Sequence, residues 1–544
     1  MWSRTGVVAL ALCLAPFACE NAGVDLGDPP GSVTIAEEDL RQDLAVLASD
    51  EMGGRLTGTR ESAAAADWIA QRFGELGLAP AGAGESYLQT FDLVTFALGT
   101  GDNSLSVDGR PYGLGADFYP LGITASGSAS GQATFVGYGI DVPRIPHSDF
   151  GDGGLDGHIL LVLEGEPDPD DPRSPFDGVV RSEASRDLRK VWAAQARGAA
   201  GVLFVTDVAN VDAAQDLTAS FTAYWPEQPR RIPRFSLAKW TDRVTIPVLR
   251  ISTAMADGLA RRGGRSLEDL AEAAQADGGI VPISLGTEQI AISASVERQV
   301  VTGRNVLAKV TGDNPELSGE AVLISAHHDH NGADEEGVFN GADDDASGTV
   351  GVLEIAAAYA EASSQGVRPD RTVVFALWDA EERGLLGAWH YTESPTHPLR
   401  DIVAVLNLDM IGRNEEVPED GGPRFRGLEP QTSESNQLAL NVLGTTYSQD
   451  LRSLLEPMAG AHELELRFRY NNNRSNLLRR SDHWPFLQHR VPAVWFHTGL
   501  HPDYHTRDDA ADRINYPKMT RVVTLVHDLS WQLATRPGRP AYDR

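Results

Sequence analysis

The sequence predicts an α/β fold built on a mixed, mostly parallel central sheet, with a second, β-rich region inserted into it. Three observations carry that reading. From Gly286 onward, short apolar runs at 321–326, 372–377, 403–408 and 492–496 alternate with helical stretches at 347–362 and 521–533, the rhythm of a sheet covered on both faces. Residues 125–285 break the rhythm with β-branched runs of their own. Histidines and acids follow the ends of the later strands, the edge at which open α/β sheets bind ligands.

The chain opens MWSRTGVVALALCLAPFACEN, in which Arg4 precedes an apolar run at 6–17 that is too short to span a membrane. Residues 1–19 therefore read as an export leader, and the polar stretch 20–32 as a flexible linker. The only two cysteines, Cys13 and Cys19, both fall in the leader, so the body has no disulfide. Cys19 sits where the lipidated cysteine of a bacterial lipoprotein would, giving a candidate lipid anchor, although the customary leucine three residues earlier is Pro16. Ordinary cleavage near Ala18 and an unprocessed signal are the alternatives. These readings place the protein in the bacterial cell envelope, at the periplasm or outer membrane, or outside the cell. With 46 Lys and Arg against 77 Asp and Glu, the net charge of −31 excludes nucleic acid and acidic membranes as partners bound through charge.

Residues 33–124 form the first part of the main domain, with helices expected at 37–48 and 60–78 around the glycine-rich loop GGRLTGT (53–59). That loop lacks the Gly-Lys-Ser/Thr ending of a phosphate loop. The insert, 125–285, offers strands at 133–140, 158–163, 201–208 and 244–251 and helices at 188–197 and 253–261. The main domain resumes at 286–544.

AVLISA runs into His327-His328-Asp329, TVVFALW into Asp379-Ala-Glu381-Glu382, VAVLNL into Asp409, and PAVWFHTG reaches His501 and His505. The run Asp343-Asp344-Asp345 opens the helix after the first of these strands. One such group is commonplace, because acids after strands usually cap helices or face water. Five groups on one edge of a sheet are not. Two histidines and three carboxylates suit two Zn²⁺ ions with open positions if one carboxylate bridges, and with a bound hydroxide the charges sum to zero.

AHHD, NGADDDASG, WDAEERGLLG, NLDMIGRN, SDHWPF and GLHPDYHT, in this order, resemble the secreted di-zinc aminopeptidases related to bacterial leucyl aminopeptidase. The resemblance runs from about Arg304 to Asn515, and the VGYGI and GAAGVLFV segments resemble the protease-associated domain inserted in many members. It implies a zinc-peptidase α/β/α sandwich acting on peptides with a free N-terminus. It also implies His327, Asp344, Glu382, Asp409 and His505 as metal ligands, with Asp344 shared, His327 and Asp409 on one ion, and Glu382 and His505 on the other. Glu381 matches the general base, and Asp329 the group that holds the His327 ring. Asp343 and Asp345 are expected to accept backbone N–H groups at the helix start. His328, His330 and Tyr504 read as packing or edge residues, Arg413 as an ion-pair residue, and His483 as a residue ordering its loop.

One departure is the lack of a tyrosine shortly before Ser481, where relatives can stabilise an oxyanion; Arg479 or Arg480 is the candidate substitute. A carboxypeptidase or dipeptidase of the same superfamily is the competing reading, with Arg474, Arg479 and Arg480 as its basic pocket. A non-catalytic, receptor-like protein would have lost ligands, and all positions are present.

Overall fold

In the computed structural model, which describes residues 35–151, 153–211 and 216–544, the apolar runs assemble into two separate sheets. The leader, the linker up to residue 32 and the Cys19 anchor lie outside the described residues.

The first sheet has nine strands in sequence across it and a tenth, Ala79–Pro80, paired to Val296–Val310 off that path, and its centre is parallel: Thr372–Trp378, Ala321–His327, Ile402–Leu408 and Ala493–His497 lie side by side in that order. Each is buried along its whole length, which explains why TVVFALW or IVAVLNL reads as an unbroken apolar run rather than an alternating one. Outside them the sheet turns antiparallel. On one side come Val296–Val310, Leu88–Leu98 and Phe235–Leu237; on the other, Ala439–Leu443 and then Glu465–Arg467, which is parallel to its neighbour.

The period of two divides each central strand between two cores. Val373, Phe375 and Leu377 face the helices Glu37–Leu47, Arg60–Glu75, Gly348–Ser364 and Tyr516–Thr535. Val374, Ala376 and Trp378 face Leu386–Glu393 and His483–Gln488. The result is a three-layer α/β/α sandwich. Gly348–Ser364 is apolar nearly all round because it lies in the middle of its layer, with Tyr359 packed on both Phe375 and Trp531.

The second sheet has eight strands, in the order Arg110–Pro111, Ser104–Val107, Ile283–Ala294, Gly127–Phe135, Ile159–Leu163, Gly201–Val205, Val248–Ile251 and Phe118–Pro120. It spans Ser104 to Ala294 and is thus wider than the expected 125–285. The missed strands are short or sit on edges, where one polar face hides the pattern. The same cause hid Leu88–Leu98, where exposed Thr90 and Asp92 alternate with buried Gln89, Phe91 and Leu93. Entry and exit of this unit lie together, since the Gly99 amide donates to Ser295 O at 2.9 Å. The unit also returns one strand, Phe235–Leu237, to the outer edge of the first sheet.

Candidate metal centre

The carboxyl edge of the four parallel strands gathers the histidines and acids. His327 is the last residue of its strand, Asp409 follows Leu408 directly, and Glu381 and Glu382 follow Trp378 closely. His505 reaches the same point from the loop between the strand Ala493–His497 and the last helix. From His327 Nε2 the distances are 3.3 Å to Asp344 Oδ1, 3.7 Å to Glu381 Oε2 and 3.8 Å to Asp409 Oδ2. His505 Nε2 lies 2.9 Å from Asp344 Oδ2 and 3.1 Å from Glu382 Oε1. Asp344 thus stands between the two imidazoles, one oxygen toward each. All five expected ligand side chains and Glu381 come together.

His330 joins them, where an edge position was expected. Its Nδ1 is 2.8 Å from Glu382 Oε1 and 3.9 Å from Asp344 Oδ2. Gly341 makes the approach possible. Its φ of +54° is left-handed, and a Cβ there would meet Asp344 O at 2.2 Å and the His330 ring at 2.5 Å. The candidate ligand atoms form two groups, His327 with Glu381 and Asp409, and His330 with Asp344 and Glu382, each within 4.8 Å.

The surrounding groups hold this arrangement rigidly. Asp345 Oδ1 accepts from Gly348 N at 2.9 Å and Met410 N at 3.1 Å, and its Oδ2 from His327 N at 3.2 Å, so it ties two strand ends to the helix start. Asp343 accepts from Gly412 N at 2.6 Å and contacts His501 at 3.1 Å. Asp329 lies against the His327 ring and holds a second group as well. His327 Nδ1 contacts its backbone carbonyl at 3.1 Å, and the carboxylate is 3.6 Å from the ring. That carboxylate also accepts from Glu381 N at 2.9 Å and Thr57 Oγ1 at 3.2 Å, so it fixes the base candidate too.

Several holding groups escaped the sequence reading. Arg55, in GGRLTGT, is fully buried and donates to four carbonyls: Leu47 O and Asn340 O at 2.7 Å, His328 O at 2.8 Å and Gly341 O at 3.0 Å. It thereby clamps both ligand loops to the first helix. Asp509 accepts from Asp343 N and Asp344 N, and Ser481 Oγ donates to Asp409 Oδ2. The only sequence signal was an arginine between glycines and a carboxylate shortly after His505.

The electrostatics are those of a cluster suited to cations. Burial raises the Glu381 carboxyl well above the ordinary range, and Asp409, Asp482 and Glu382 add to it, against the opposing pull of His327. Burial opposes a charge on His505, but Glu382 and Asp344 outweigh it and hold the imidazolium up to about 10. Burial likewise opposes ionisation of Asp344, yet His327 and His505 pull its carboxyl well below the usual range. The buried Nε2 of His327 and both ring nitrogens of His330 meet no hydrogen-bond geometry, although carboxylate oxygens surround them. Imidazole nitrogens and carboxylate oxygens that converge in this way fit the donor set of Zn²⁺.

The remaining candidates separate clearly. Arg480 lines the small cavity at the cluster and donates to Tyr504 Oη at 2.9 Å, while the Tyr504 ring stacks on His505 at 3.8 Å between centroids. Arg479 turns away to Ser182 O and Glu183, and Arg474 pairs with Asp170 at 3.3 Å on the surface. His328 is spent on Arg304 O at 2.9 Å, and Arg413 pairs with Asp503 at 2.8 Å. His483 packs at 5.6 Å from the Trp495 ring, in a site dry enough to push its imidazole down to about 3.

Residues 305–530 match the model of peptidase family M28. The chain is 26% identical over 240 residues to a probable zinc metalloprotease of Pyrenophora tritici-repentis, covering 40% of this chain and 54% of that one. It is 30% identical over 213 residues to the probable glutamate carboxypeptidase AMP1 of Arabidopsis thaliana, covering 38% and 26%. The chain spans about half the length of the first curated relatives it matches. An aminopeptidase from Aneurinibacillus sp. strain AM-1 superposes over 94% of this chain and 96% of its own, at 19% identity and a TM-score of 0.49.

Proposed function

The chain carries a peptidase family M28 segment at 305–530, and from that premise we propose that the protein is a two-zinc exopeptidase that removes N-terminal residues from peptides. His327 and Asp409 would hold one ion and Glu382 and His505 the other, with Asp344 between the two imidazoles available to both. When bound, such ions lower the pKa of water and polarise a carbonyl. Glu381, fixed through its amide by Asp329, takes the proton of the attacking water and delivers it to the leaving amine. Arg480, with Tyr504 held at its guanidinium, is positioned to donate to the oxyanion in place of the tyrosine that relatives carry before the SDH motif.

The observation that carries the aminopeptidase reading is the lining of the small cavity at the cluster. Of its three carboxylates, Asp344 and Asp409 are proposed ligands, which leaves Glu381 as the acid that an N-terminal ammonium would meet. Met410, Leu477, Trp495 and Leu500 line the same cavity and suit one uncharged side chain. A carboxypeptidase needs basic side chains for the substrate carboxylate there, and Arg480 is the arginine that lines it.

A panel of peptides and aminoacyl anilides with free and blocked termini tests this reading, combined with chelation and restoration of Zn²⁺. The expected result is hydrolysis only with a free N-terminus, lost with chelator and recovered with zinc. Cleavage of N-acetylated peptides would sink the aminopeptidase assignment. The protease-associated character of the second unit and export with a lipid at Cys19 complete the proposal, the latter checked by labelling with radioactive palmitate and its loss in Cys19→Ser.

A further inference from the structure

A cleft of about 950 Å³ opens between the two sheets and meets the metal cluster, since Arg480, Tyr504 and His505 line both. Its walls hold nine arginines and two carboxylates, Glu183 and Asp187, in a chain where acids outnumber bases 77 to 46. Such a concentration of one sign is the reverse of the chain average, and low-dielectric walls focus its field.

The arginines come from both units: Arg181 and Arg189 from the second, Arg234 from the segment that returns to the first sheet, and Arg424 and Arg480 from loops beside His505. Arg186 and Arg479 share Glu183, Arg250 pairs with Glu164, and Arg383 lies 3.7 Å from Glu382. By contrast, Arg181, Arg189, Arg234, Arg424 and Arg480 make no ion pair with a carboxylate among the described residues. Three of the five are braced by rings instead, Arg234 at 3.8 Å over Tyr224, Arg189 at 5.1 Å over Trp192 and Arg480 at 5.8 Å over Tyr504. Stacking uses the face of a guanidinium and leaves its in-plane N–H groups for an acceptor, and the planar fork matches a carboxylate.

The cleft therefore meets the cluster at Arg480, Tyr504 and His505. A peptide whose N-terminus sits beside Glu381 can extend past these residues into the cleft. We propose that the arginine cleft binds carboxylates of the peptide beyond the scissile bond, so that short anionic peptides are the favoured substrates. The polarity of the bound peptide rests on the aminopeptidase reading; the carboxylate-binding cleft does not. The carboxylate is either an acidic side chain or the C-terminus of a short peptide, and one series distinguishes them.

The series comprises Leu-Ala-Glu-Glu amide, Leu-Ala-Gln-Gln amide and Leu-Ala-Gln-Gln with a free C-terminus. At low salt kcat/KM should rise on the order of tenfold for the peptide with the recognised carboxylate, and raised salt should erase the difference. The Arg181→Gln/Arg234→Gln double variant, with its thermal midpoint checked, should lower the acid-to-amide ratio toward one. Equal kcat/KM across the series, or a ratio unchanged in the double variant, overturns the proposal. A binding arm separates this result from the peptidase reading. Acetyl-Glu-Glu-Glu amide, titrated calorimetrically into Glu381→Gln protein, should bind with the cleft arginines present and lose affinity on adding the double substitution. If that occurs while no peptide is hydrolysed, the cleft stands and the peptidase reading alone fails; absence of binding overturns the cleft.

Discussion

The metal cluster and the arginine cleft are adjacent, yet they are built in opposite ways. In the cluster, the histidines and acids face one another within about 4 Å, and the holding groups come from the sheet edge, the loops on it and the GGRLTGT segment with Arg55 and Thr57. In the cleft, five arginines stand without a carboxylate partner among the described residues, and the wall is assembled from two units whose strands do not mix there except at Phe235–Leu237. The difference separates a part that must be the same in every turnover from a part that waits for an opposite charge. Rigidity is found where geometry matters to ångströms, and unspent charge where the ligand supplies the partner.

The comparison can be broken most severely at Asp344. Asp344→Ala removes the carboxylate between both imidazoles and should abolish stable zinc binding and lower activity by roughly a thousandfold or more. Metal content by mass spectrometry and kcat/KM read it, and retention of two ions with full activity would refute the shared-ligand role. Glu381→Gln should be almost as costly, lowering kcat by roughly a hundred- to ten-thousandfold. Unlike Asp344→Ala, it should keep its zinc, so the pair separates holding from reacting.

Arg55→Leu tests whether the cluster's rigidity is built from outside. Four carbonyls lose their donor at once, and the expected cost is about 3 kcal/mol of folding stability, read by urea unfolding. A shift in the urea midpoint too small to resolve would mean that the ligand loops hold themselves. His330→Ala sharpens the comparison at smaller scale. Competition with a chelator should show zinc held roughly ten- to a hundredfold more weakly if the ring contributes to the Glu382 side. Unaltered affinity would restore it to the edge role that its sequence position suggested.

The strand-end ligands were legible because a parallel sheet converts sequence position into spatial position: whatever follows a buried apolar run lands on one edge. That brought His327-His328, Glu381-Glu382 and Asp409 into view, but choosing His327 and Glu382 over their neighbours took the ordered motifs. Asp344 and His505 needed the ordered motifs, since a helix start and a long loop carry no such geometric guarantee. His330, Arg55 and Asp509 were missed because each depends on backbones in close approach, at Gly341 or between loops far apart in the chain, which no periodicity records. The cleft was invisible for a related reason. Its arginines are spread from 181 to 480, and only the packing of one unit on the other makes them neighbours.

The strand Phe235–Leu237 has a consequence for anyone wishing to work with the metal-binding half alone. Because Gly99 and Ser295 are hydrogen-bonded neighbours, a short splice between them looks like an easy way to cut away the second unit. That deletion would also remove the outermost strand of the first sheet and bare the edge of Leu88–Leu98, whose middle carries Phe91, Leu93 and Val94. An unprotected apolar edge of this kind recruits other chains and precipitates. A minimal enzyme needs either a transplanted edge strand or lysines written into 90–95, and its solubility would report which residues of the larger unit serve as a cover rather than as a binding wall.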